Sequence, residues 1–211
     1  MSTIIDQVEE KVDFLSGFYE QVFPISLKIN TKSWSNDEYF EFCRQNQDLR
    51  IETTKDGDLI IMPPTGGETS VKNSEIVIQL GIWARKNKKG KVFESNVEFQ
   101  LPNGAKKSPD ASWILKDRYN ALTQLEREGF PPICPDFVVE LRSKTDRLKP
   151  IQDKMAEYTE NGVRLSWLID PYQKQVHIYR KNGEIEILEN PKTVSGEDVL
   201  EGFELDLEEI L

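Results

Sequence analysis

The stretch PDFVVELRSKT, Pro135–Thr145, decides the fold. Phe137, Val138, Val139 and Leu141 form an aromatic and β-branched run that suits a strand covered on both faces of a sheet. Glu140 and Arg142 interrupt it. They share one parity, so both side chains leave the same face. A carboxylate in a buried strand costs several kcal/mol unless something pairs with it. From this stretch alone two readings stand side by side: a structural ion pair between Glu140 and Arg142, or part of a functional site.

A second acid tips the balance. Asp110 opens another apolar strand, Ala111–Leu115, thirty positions earlier. If the two strands are neighbours, the carboxylates of Asp110 and Glu140 converge, and each raises the other's pKa. A hard divalent cation relieves that repulsion. Magnesium takes oxygen ligands and keeps several waters, so two acids and a backbone carbonyl suffice. Such an ion activates water and stabilises charge on a phosphate, and a nearby lysine can orient or help deprotonate that water, or neutralise the pentavalent phosphate.

Working outward, residues 3–23 place Ile5, Val8, Val12, Leu15 and Val22 at helical spacing and predict an amphipathic helix. We take residues 1–24 as that N-terminal element and 25–211 as one domain. Ile25–Ile29 reads as a strand. Ser35 and Glu38 form a capping box for a helix over 36–46. A hairpin turns at Lys55-Asp56-Gly57. The loop Pro63–Gly67 has two glycines but no phosphate-loop lysine pattern. A long helix over 70–87 buries Ile76 and Leu80 and ends in the basic run Arg85–Lys91, where Gly90 is expected to stop it. Short strands follow, then an exposed helical insertion over 116–128, the central strand, a helix over 148–160, a strand at Leu165–Ile169, and two alternating strands with one wet face. The last twenty residues read as an acidic coil packed on the domain. The order predicts an α/β fold, a central mixed sheet flanked by helices with an N-terminal helical and hairpin extension.

Composition narrows the classes. The chain has 211 residues with 27 bases and 37 acids, a formal charge of −10. The acidity is confined to the ends: residues 1–60 carry 6 bases and 12 acids, residues 181–211 carry 2 and 10, and the middle carries 19 and 15. A mildly basic centre is compatible with DNA, because phosphate binding depends on the local face. No apolar run is long enough to span a bilayer, and the acidic start is unlike a signal peptide. A cytoplasmic protein without a membrane partner is expected. Cys43 and Cys134 stand alone, which leaves no zinc or redox motif. His177 is the single histidine, which excludes Ser-His-Asp triads.

Two segments, SPDAS at 108–112 and VVELRS at 138–143, resemble the halves of the PD-(D/E)XK nuclease pattern. With IIMPPTGGET at 60–69, SPDASWI at 108–114, KMAEYTENGV at 154–163 and LSWLIDP at 165–171, the chain resembles the Uma family of bacterial proteins, assigned by homology as restriction endonucleases. The resemblance runs from about Ile25 onward and implies a restriction-endonuclease-like fold. It makes Asp110 and Glu140 metal-binding acids, with the carbonyl of Leu141 as a third ligand and Glu75 as an added helix acid. The pattern's usual lysine is replaced by Arg142, which stays protonated and can clamp a phosphate but not act as a base. The resemblance moves the lysine to Lys154 on the following helix. It implies a magnesium-dependent endonuclease acting on DNA, manganese serving as a substitute, with pairing into a homodimer for cutting two strands. Two alternatives remain: a module of the same fold that binds DNA or a partner without efficient chemistry, and, ranked last, a glycosidase using its paired acids.

Overall fold

The computed structural model describes residues 24–211, so the predicted helix over 3–23 lies outside the described residues. The central strand of the sequence reading is the centre of the larger sheet. That sheet has six strands in the order β11-β10-β9-β8-β7-β4. They are β4 (Gly90–Glu94), β7 (Ala111–Leu115), β8 (Phe137–Leu141), β9 (Leu165–Asp170), β10 (Gln175–Arg180) and β11 (Ile185–Glu189). β8 runs antiparallel to β7 and parallel to β9, so the sheet is mixed. A parallel pair needs a crossover, and the helix Leu148–Glu160 supplies it.

The smaller sheet has the order β1-β3-β2-β6-β5. Its strands are β1 (Ile25–Leu27), β2 (Arg50–Thr53), β3 (Leu59–Met62), β5 (Phe99–Gln100) and β6 (Lys106–Lys107). The hairpin β2–β3 turns as expected, with Gly57 at φ +87°. Helix α1 (Asn36–Gln45) starts on the predicted capping box, in which the Glu38 N–H donates to Ser35 Oγ and Ser35 N–H donates to Glu38 Oε2. It covers one face of this sheet through Tyr39 against Ile51 and Leu59.

Helix α2 (Gly67–Asn87) lies on one face of the large sheet. There Ile76 and Leu80 join the odd-numbered residues Trp113, Phe137, Val139 and Trp167. The insertion forms two short helices, α3 (Lys116–Asn120) and α4 (Gln124–Glu128). Helix α5 (Leu148–Glu160) covers the other face, where Met155 and Tyr158 meet the even-numbered Ile114, Val138 and Leu168. The parity of β8 therefore sorts the two cores, and Glu140 leaves toward α5.

Four local expectations are corrected. Gly90 does not stop α2. The helix closes at Lys88, in the left-handed region at φ 60°, and Gly90 opens β4. Glycine is needed there because a Cβ would overlap the Trp113 ring and the Ile114 carbonyl. The glycines of the Pro63–Gly67 loop are the start of α2, Gly66 being its N-cap. β10 has no wet face: Val176 to Tyr179 are all buried, because α5 covers one side and the C-terminal segment the other. That segment is more than coil. It forms a two-stranded sheet, β12 (Thr193–Ser195) with β13 (Glu204–Asp206), and buries Val194, Leu200, Phe203 and Leu205.

Candidate active site

Ala111 is paired with Val139, so Asp110, just before β7, stands opposite Glu140 near the end of β8. Both acids are buried, 8 % and 7 % exposed. The Leu141 N–H donates to Asp110 Oδ2 at 2.9 Å. The Tyr158 hydroxyl donates to Glu140 Oε1 at 2.9 Å, and Lys154 Nζ stands 2.8 Å from the same oxygen. Lys154 and Tyr158 are one helical turn apart on α5, so one face of that helix delivers both donors.

The small sheet completes the cluster from the other side. Arg50 and Glu52 alternate with Ile51 and Thr53 along β2. Ile51 goes to α1, so the charged pair faces the large sheet. Glu52 Oε1 accepts from Lys154 Nζ at 2.8 Å and from the Ser108 N–H at 3.1 Å. Lys107 Nζ lies 3.7 Å from Glu52 and 3.3 Å from Glu157. Arg50 Nη2 is 3.5 Å from Asp110 Oδ1. The site is thus a seam between two sheets, closed by α5. Sequence reasoning placed Asp110, Glu140 and Lys154, and missed Arg50, Glu52 and Lys107. The available signal was Arg50–Glu52 itself, two charges of one parity in a short strand with Ile51 between them.

Burial pushes the Glu140 carboxyl up to about 7; Lys154 opposes this, while Asp110 and Glu52 add to it. Burial alone would lower Lys154, but Glu140 and Glu52 outweigh it and hold the ammonium above the usual lysine range. Burial likewise works to raise Glu52, and the Lys154 and Lys107 ammonium groups reverse this to a net lowering. Lys154 is therefore a fixed positive charge in this arrangement, not a proton acceptor.

Two sequence-predicted residues are not brought into the cluster. Arg142 lies on the Glu140 face, but its Nη1 donates to Asp170 at 2.8 Å and its Nε to the Asp146 carbonyl at 3.0 Å. Its ion-pair partner is Asp170 on the next strand rather than Glu140. Glu75 sits on α2, the helix of the opposite sheet face, and accepts from Gln79 at 2.9 Å. Among the described residues no three His, Cys, Asp or Glu side chains group closely enough to hold a metal between them. The donor set at the seam is the Asp110–Glu140 pair with the backbone at Leu141. All of these donors are oxygens, which suits a hard cation that keeps waters of its own. Asp136 is a structural acid, accepting from the Leu115 N–H at 2.9 Å and pairing with Arg118 at 2.8 Å.

The fold is shared with a solved protein from Anabaena variabilis, described as a "putative nuclease belonging to DUF820". The two are 20 % identical with a TM-score of 0.66, and the match covers 83 % of this chain and 96 % of that one. Residues 36–208 match the Uma2 family, whose description reads "Putative restriction endonuclease". The chain belongs to that family. No curated protein matches it. Among the described residues no helix is long and apolar enough to cross a membrane.

Proposed function

We propose that residues 25–211 form a divalent-metal-dependent endonuclease domain that hydrolyses phosphodiester bonds of DNA. One observation carries the reading: Asp110 and Glu140 face each other on adjacent strands with the Lys154 ammonium 2.8 Å from Glu140. Asp110, Glu140 and the Leu141 carbonyl would hold magnesium, or manganese in its place. When bound, the ion supplies Lewis-acid charge to the phosphate and its attacking water. The chain's own residues do the rest. Lys154 carries positive charge to the place where negative charge develops on phosphorus-bound oxygens. Glu52 and Glu140 fix that ammonium from two sides, and Tyr158 fixes Glu140. Arg50, beside Asp110, offers a guanidinium to a phosphate oxygen. Arg142 reaches a phosphate only by sharing its guanidinium with Asp170. A pair of chains cutting opposite strands suits this chemistry.

The test is nicking of supercoiled plasmid with magnesium and with EDTA. Wild type is expected to cleave only with the metal, and Asp110→Asn and Glu140→Gln to lose at least about 100-fold while keeping wild-type circular dichroism. Equal cleavage by both variants would remove these acids from the mechanism. Salt-sensitive DNA binding with no product at any magnesium or manganese level would make the domain a binding module instead.

A further inference from the structure

Helix α2 has an apolar face that the core does not use. Val71, Ile78 and Ile82 are 68 %, 52 % and 51 % exposed. At 100° per residue they fall in one narrow sector, opposite Ile76 and Leu80. Beside the stripe runs a groove of about 710 Å³ between α2 and β4, with Val77, Ala84 and Val92 in its floor. Position 81 is glycine, and a methyl group there would touch nothing, so the floor is open. Arg85, Lys88, Lys91 and Lys116 also line the groove.

An apolar floor beside four cations fits an acidic amphipathic helix. Duplex DNA would match the cations and waste the floor. A second copy of the same face would set cation against cation. The chain carries one segment of the required chemistry. Residues 3–23 place Ile5, Val8, Val12 and Leu15 on one side. They hold Asp6, Glu9, Glu10, Asp13 and Glu20 against a single Lys11.

Reach and length agree. Ile25 pairs with Ile61 on β3, and β3 ends at Met62, five residues before α2 begins. Ile25 therefore stands at the end of β3 from which the chain leads into α2. Residues 3–23 and α2 are each 21 residues long, about 31 Å as helices. Lying antiparallel, they set Asp6, Glu9 and Glu10 at the end of α2 that holds Arg85 and Lys88. We propose that residues 3–23 dock as a helix, antiparallel to α2, over the exposed stripe and groove of their own chain.

The experiment is hydrogen exchange on the full-length protein, read in peptides covering residues 4–22, for wild type and Ile78→Glu/Ile82→Glu. Both substituted positions are exposed, and circular dichroism checks the fold. Amides of 4–22 are expected to exchange at least about tenfold slower in wild type than in the variant. Arg85→Glu/Lys88→Glu should also lose protection, and Glu9→Lys/Glu10→Lys in the same chain should restore it. Exchange of 4–22 at free-peptide rates in wild type would overturn the proposal, as would protection unchanged by Ile78→Glu/Ile82→Glu. Protection that falls on dilution in step with a dimer seen by light scattering would also overturn it, since the groove would then hold a partner's segment.

Discussion

Lys154 is the residue on which the seam balances. It is buried between Glu52 and Glu140 at 2.8 Å from each, and both carboxylates look to it for neutralisation. Removing one partner from a buried ion cluster leaves uncompensated charge, which typically costs about 3–5 kcal/mol. Lys154→Met is expected to lose that much at pH 8 in urea denaturation. The loss should shrink at pH 5, where Glu140, already shifted up to about 7, takes a proton. A variant as stable as wild type at pH 8 would show that water or Lys107 neutralises the acids instead. The same residue shows what the sequence could reveal. Its place on the inner edge of α5 follows from the spacing of Ile151, Met155 and Tyr158. Its second partner does not, because Glu52 comes from a strand about a hundred residues earlier and no local pattern links them.

Among the elements, β4 shows how a packing constraint can pass for a turn signal. Gly90 follows a basic helix end, and the usual reason for glycine there is a left-handed cap. Lys88 takes that conformation itself, and Gly90 is held by the ring of Trp113 across the β4–β7 pair. Gly90→Ala must therefore move backbone or a fully buried indole. It is expected to destabilise by about 1–3 kcal/mol in denaturant titration, with the near-ultraviolet signal of Trp113 altered. A neutral result would mean that the edge strand gives way freely. Strands β7, β8 and β9 were legible as short, mainly apolar runs, and helix α5 by the helical spacing of Ile151, Met155 and Tyr158. β10 was misread for a tertiary reason: alternation of His177 and Tyr179 with apolar residues predicts a wet face only if nothing covers it. The C-terminal hairpin escaped notice because its strands are three residues each, too short for a period to register.

For the molecule as a whole, stability is expected to depend on pH through a buried acid beside the small sheet, Glu98. Glu98 is buried and accepts from the Tyr39 hydroxyl at 2.9 Å, fastening α1 to the segment that leads into β5. Burial pushes its carboxyl up to about 8; the Tyr39 hydrogen bond and the Lys106 and Lys107 charges oppose this, and Glu52 adds to it. A group whose folded pKa lies above its unfolded value stabilises fully below the unfolded value, and that contribution fades as pH rises to the folded one. Wild type should lose stability between about pH 5 and 8, by at most about 5 kcal/mol from this group. Glu98→Gln keeps the shape and removes the charge, so its stability should be flatter over that window in thermal melts. Parallel pH profiles for the two proteins would assign the dependence elsewhere.

The grip of Lys154 on Glu52 joins residues 102 positions apart, one made early in synthesis and one late. A ribosome-bound or broken chain that ends before the late helix lacks the ammonium and leaves the early acid with only the Ser108 N–H and the Lys107 charge. The tie between the two sheets at this seam therefore forms only once α5 has been made.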